Sequence, residues 1–223
     1  AEKAIEKINS MTQLGVRVAA NRFEAMGARD CCLEASGALR VIAHSLLKIC
    51  NDLRIMSSGP NTGLGEIELP AVQPGSSIMP GKVNPVIVES AMLAASQVIG
   101  YDCAISSACR LGELELNMGL PLIAYDLLDS IEILSNTVAN LADRCISGIT
   151  VNVVRAENLA AKSPALVTYL APKIGYDAAA RVAKRMLETG KTLAEIVVEE
   201  GLMSREEVEK ILDLKKMTGG GLP

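Results

Sequence analysis

From Cys32 onward, apolar side chains recur at Cys32, Ala35, Leu39, Ile42, Leu46, Ile49, Leu53 and Met56, in steps that alternate between three and four. This spacing predicts one long helix over roughly 28–57 carrying the apolar seam by which long helices pack. Ser57-Ser58-Gly59-Pro60 ends it with residues that leave helical geometry or block its continuation. A second run through Val88, Met92, Ala95 and Ile99 predicts a helix over 85–110, with Pro85 tolerated in its first turn. A third, through Leu127, Ile131, Leu134, Val138, Leu141 and Cys145, predicts a helix over 117–147 with Pro121 near its start. Three such helices with apolar stripes make a bundle.

Beyond Ser147-Gly148 the texture changes to short units punctuated by Pro164, Pro172, Gly175, Gly190 and Gly201. Ser204 followed three residues later by Glu207 is a capping-box pattern for one short helix. The expected fold is therefore all-α. Residues 1–149 form a central long-helix bundle with a loop over 57–85, and residues 150–223 a small C-terminal helical domain. Gly219-Gly220-Gly221 is expected to be mobile. The 57–85 loop is long for a compact helical protein, and its apolar Ile67, Leu69, Val72, Ile78 and Met79 argue for function over disorder.

Composition narrows this picture. With 2% aromatic residues and no Trp, the core must be built from Leu, Ile, Val, Ala and Met, which suits interdigitated helices. A net charge of -4 with scattered Lys and Arg leaves no footprint for nucleic acid and no basic membrane face. No apolar run reaches the roughly 18–20 residues that span a bilayer, and no signal-peptide pattern opens the chain, so a cytoplasmic location is the default expectation. Six cysteines without a C-x-x-C pair, and a single histidine, read as buried free thiols; no metal or other cofactor is expected. The chain begins with Ala1 and enters helical sequence at once, the pattern of a fragment or processed product. Apolar residues on more than one helix face point to burial against other subunits as well as within the chain.

The densest chemistry lies in Gly75-Ser76-Ser77-Ile78-Met79-Pro80-Gly81-Lys82-Val83-Asn84-Pro85. Two hydroxyls, an ammonium, an amide and backbone N–H groups freed by glycine suit an anionic ligand. The loop feeds a helix start, where the dipole also favours negative charge. It is not a P-loop, because Lys82 is followed by Val83 and the required glycine spacing is absent.

That loop resembles the signature loop of the fumarase and aspartase superfamily, and Lys82-Val83-Asn84 is similar to its fumarase and aspartase version. The likeness extends to Ser58-Gly59-Pro60, Gly63-Leu64-Gly65-Glu66-Ile67, Glu115-Leu116-Asn117 and Ile174-Gly175-Tyr176-Asp177, over nearly the whole chain. Asn61 departs from it, standing where many relatives have Arg. The resemblance implies a C-terminal half of a class II fumarase-type lyase: Ser76 as the base that takes a carbon-bound proton, Ser77, Lys82 and Asn84 as holders of the substrate carboxylates, and Glu89 as the acid that orients a catalytic histidine. It also implies a dicarboxylate substrate, fumarate or malate, a homotetramer, and an N-terminal half that carries the histidine. His44, the only histidine here, reads as structural. Reversible hydration of fumarate is the first expectation. Ammonia addition, as in aspartase, is the alternative, supported by Val86 and Val167-Thr168-Tyr169-Leu170; a non-catalytic helical scaffold is a further one.

Overall fold

The computed structural model describes residues 1–213 and 217–219. Gly220 and Gly221 of the glycine tail expected to be mobile lie outside the described residues. The chain divides into two compact units, one of residues 1–57 and 69–149, the other of residues 58–68 and 150–223.

The first unit holds the three long helices, α3 (Asp30–Met56), α4 (Val86–Cys109) and α5 (Leu120–Arg144), preceded by α1 (Glu2–Thr12) and α2 (Arg22–Gly27). α4 packs against both α3 and α5. It buries Val88, Ala91, Ala95, Val98, Asp102, Ile105 and Ala108, a stripe stepped by three and four, as a helix between two neighbours requires. Small alanines on this stripe permit close approach, and Ile105, Ala108 and Ile123 form a tight apolar cluster where α4 meets the start of α5.

Three expectations need correcting here. The third helix starts at Leu120, not near 117, because Gly112–Glu113 (β2) pairs antiparallel with Leu116–Asn117 (β3) in a hairpin. Asn117 is buried at the end of that hairpin: its Oδ1 accepts from the Gly119 N–H at 2.8 Å and its Nδ2 donates to the Cys109 carbonyl at 3.3 Å. The seam of α3 is also turned from its expected place. Leu46 and Leu53 are buried, but they are joined by Ser36, Ala43 and Cys50, while Ile42 and Ile49 stay exposed. Polar residues decide this turn, since buried Asp102 of α4 accepts from Ser36 Oγ at 2.7 Å and from an Arg40 guanidinium nitrogen at 2.8 Å. A buried carboxylate needs such donors, so the helix faces the side that supplies them. The expectation of buried thiols holds for Cys50 and Cys145 but not for Cys31 and Cys103, which are exposed; all six are free.

In the second unit, Ile67–Glu68 (β1) pairs antiparallel with Thr150–Val151 (β4). Arg155 of α6 (Val153–Ala161) donates to the Leu64 and Gly63 carbonyls at 2.9 Å each, tying the chain before β1 to the same unit. The short helices α7 (Val167–Ile174), α8 (Tyr176–Thr189), α9 (Leu193–Glu199) and α10 (Arg205–Ile211) enclose a core of Leu170, Val182, Leu193, Ile196, Val197 and Val208. Ser204 and Glu207 make the reciprocal capping box that their spacing predicts. A second box, Thr192 with Glu195, opens α9; the sequence carries the same signal there. Among the described residues, no helix is long and apolar enough to cross a membrane.

Candidate active site

The signature loop leaves the bundle after Pro74 and returns at Pro85, where α4 begins. Its two ends are joined at a narrow neck. The Gly75 N–H donates to the Lys82 carbonyl at 2.8 Å, and Asn84 Nδ2 donates to the Gly75 carbonyl at 3.1 Å. A Cβ at residue 75 would lie 2.6 Å from the Lys82 oxygen, so only glycine permits this approach. At the far turn, Gly81 takes φ +78°, the left-handed region that favours glycine.

Inside the loop, Ser76 is half-buried and its Oγ accepts from the backbone N–H groups of Ile78 and Met79, each at 3.1 Å. Two donors converging on one hydroxyl oxygen make a small electropositive nest, the arrangement that lowers the energy of negative charge on that oxygen. Ser76 and Lys82 both line a cleft of about 440 Å³ bounded by Ala71, Val72, Pro74 and Met79. Ser77 and Lys82 are exposed. Glu89 is half-buried in the first turn of α4, five residues beyond Asn84. Thus Ser76 and Lys82 share the cleft, Asn84 closes the neck of the same loop, and Ser77, Asn84 and Glu89 are not among the residues lining the cleft. His44 is exposed on α3. No group of three or more candidate metal ligands occurs among the described residues.

Sequence reasoning missed the contacts inside the loop. Gly75 stands out only as a glycine, and nothing local marks its carbonyl as the partner of Asn84. The nest at Ser76 has a weak local signal, a serine two and three residues before the N–H groups it accepts from, which many turns share.

The site is thus a polar, glycine-necked loop that feeds one helix of a long bundle. Residues 1–100 match the family described as Lyase, and residues 166–219 match the family described as Fumarase C C-terminus. A class II fumarate hydratase of Pseudomonas aeruginosa is 46% identical over 100% of this chain and 48% of its own length. That of Mycobacterium tuberculosis is 50% identical over 91% of this chain and 44% of its own. Among solved structures, a fumarate lyase:delta crystallin from Brucella melitensis superposes with a TM-score of 0.89 at 45% identity, covering 97% of this chain and 47% of that one. A class II fumarase from Schistosoma mansoni does so with a TM-score of 0.82 at 36% identity, covering 95% and 46%. The chain belongs to the class II fumarase family of lyases and corresponds to the C-terminal half of its members. It spans about half the length of the curated relatives it matches. These relatives are fumarate hydratases, which favours that branch over the aspartase alternative.

Proposed function

We propose that the protein acts as a fumarate hydratase, adding water reversibly to fumarate to give malate, with this chain supplying the base and one carboxylate clamp of the site. The observation that carries the reading is the Ser76 hydroxyl held in its nest of two backbone N–H groups, beside Lys82 and in a loop of the family's type. In the direction from malate, Ser76 as alkoxide removes the carbon-bound proton next to a carboxylate. The electron pair moves onto that carboxylate to give a dianionic aci-carboxylate; as the carboxylate re-forms, the C–O bond breaks and the leaving hydroxyl takes a proton from the imidazolium on the opposite face and departs as water. A serine is a poor base at its ordinary pKa, and the nest is what makes its alkoxide accessible. Lys82, Ser77 and Asn84 supply positive charge and donors where the dianion develops. Glu89, acidic in the first turn of α4, is suited to orient an imidazole on the opposite face of the substrate. The one histidine of this chain is exposed on α3, so that imidazole comes from an N-terminal half of the kind the relatives carry.

The active assembly is a homotetramer, in which the apolar faces left open on the long helices are covered and each site draws on more than one subunit. By itself the 223-residue chain folds without turning over substrate.

The test follows fumarate by its ultraviolet absorbance, first with the chain alone and then with the chain completed by the N-terminal half. The completed enzyme should interconvert fumarate and malate, and Ser76→Ala should lower kcat at least about a hundredfold with little change in KM. Lys82→Ala should lower kcat and raise KM together, since it acts in both the ground and the transition state. Near-normal kcat in Ser76→Ala would sink the base assignment. Turnover by the chain alone, abolished by Ser76→Ala, would sink the claim that half a site is insufficient.

A further inference from the structure

We propose that Asn84 is a positioning residue for Ser76, the latch that closes the neck of the loop; this rests on the reading of Ser76 as the base. Gly75 immediately precedes Ser76, and both of its backbone polar groups are engaged by the returning chain. Its N–H goes to the Lys82 carbonyl at 2.8 Å, and its carbonyl receives the Asn84 side-chain amide at 3.1 Å. That carbonyl belongs to the same planar peptide unit as the Ser76 N–H. Fixing its direction therefore fixes the plane from which the Ser76 Cα and hydroxyl project.

The latch is mounted on a firm base. Asn84 directly precedes Pro85, the N-cap of α4, and its own carbonyl accepts from the Val86 N–H at 2.9 Å. The neck has no slack, because a Cβ at Gly75 would also come within 3.0 Å of the Asn84 nitrogen. Without the amide, Gly75 keeps only one of its two ties, and the peptide plane before Ser76 can rotate. The Ile78 and Met79 N–H groups then lose their fixed aim at Ser76 Oγ. Small misplacements of a proton-transfer group are enough to slow chemistry while leaving affinity intact. Asn84 still keeps one amide hydrogen and its carbonyl oxygen, so the latch leaves room for a substrate contact.

Two substitutions separate the roles. Asn84→Asp keeps the shape but places an acceptor against the Gly75 carbonyl, and Asn84→Ala removes the side chain. In the purified chain, amide hydrogen exchange at Gly75, Ile78 and Met79 should accelerate about tenfold or more in both variants, with α4 from Val88 to Val98 unchanged as the control for folding. In the enzyme completed with its N-terminal half, kcat should fall about tenfold or more, with a rise in KM beside it because Asn84 also holds substrate. Unchanged exchange at the three loop amides would overturn the latch whatever the kinetics show, and so would a rise in KM with kcat intact. Ser76→Ala in the same assay keeps the two questions apart. Should it retain activity, the base assignment fails, while the exchange measurement still decides whether Asn84 holds the neck.

Discussion

The two units bury their apolar residues by different rules. In the second unit, short helices close around Leu170, Val182, Leu193, Ile196, Val197 and Val208, all fully buried. In the first, long helices bury a narrow stripe that includes Ser36, Asp102, Asp126 and Ser130, while Leu93 is 74% exposed and Leu128 67% exposed. One unit encloses its core with short helices on every side, though it leaves Val154, Tyr176 and Leu187 exposed. The other has apolar surface to spare, scattered over Val41, Ile42 and Ile49 of α3 and Tyr125 and Ile131 of α5. A helix buries only the faces that meet a neighbour, and on the long helices other apolar faces stay exposed. A wrapped core and a bundle with exposed apolar faces thus sit side by side in one sequence, because short helices can surround a core while long packed helices bury only the stripe that meets a neighbour.

The contrast can be broken most severely by truncating equivalent side chains in the two settings. Leu193→Ala, at a fully buried position, should destabilise the second unit by about 2–5 kcal/mol. Leu128→Ala should change the stability of the isolated chain by no more than about 0.5 kcal/mol, as at ordinary surface positions. If the proposed homotetramer covers this exposed face, Leu128→Asp should lower the sedimentation-determined mass at micromolar concentration without unfolding the chain, since a buried charge opposes association. Equal thermal shifts for the two alanine variants, together with an unaltered mass for Leu128→Asp, would remove the distinction between the units.

A gentler test concerns the polar groups buried in the first unit. Asp126 is buried with its Oδ2 unpartnered among the described residues, and burial, aided by Asp129, pushes its carboxyl above the usual range. The folded state therefore holds the proton more tightly than the unfolded one. Its contribution is complete below the unfolded value of about 3.9 and is lost as pH rises through the raised folded value. Asp126→Asn, which keeps the shape without the charge, should raise the melting temperature at pH 7 and flatten its dependence on pH above about 4. A lower melting temperature at pH 7 would mean that the ionised carboxylate has a partner worth keeping.

The smallest effect is expected in the second unit, and it has the opposite sign. Backbone and hydroxyl donation from Ser204 holds the Glu207 carboxyl below its usual range. Its stabilising effect is present above the unfolded value of about 4.3 and is lost as pH falls through the depressed folded value. Glu207→Gln should lower the melting temperature slightly at pH 7 and not at all near pH 2. A loss of the same size at both pH values would show that the carboxylate charge contributes nothing to the cap.

Much of this protein is legible from local sequence. The three long helices fall within a few residues of the spans that periodicity predicts, because a three-four repeat depends only on neighbours a turn apart. Capping at Ser204 and the breaks at Ser57-Ser58 and Pro85 are equally local. So is the signature loop, whose residues carry the resemblance to the family. What local sequence could not decide is which face each helix turns inward. On α3 the seam rotated toward Ser36 and Cys50, because Asp102, sixty-six residues beyond Ser36, needs two donors in the interior. The third helix began late for a similar reason, since the buried Asn117 bonds back to the end of α4. Residues 58–68 joined the second unit through pairing with Thr150–Val151, which no pattern within the loop foretells. At the site itself, the sequence supplied Ser76, Lys82 and Asn84, and the tertiary structure decided that Asn84 reaches back nine residues to the Gly75 carbonyl. Periodicity and residue type are properties of a short stretch of chain. Hydrogen-bond partners in an interior are chosen only when distant stretches meet, because a buried polar group accepts whichever donor the packing brings within reach.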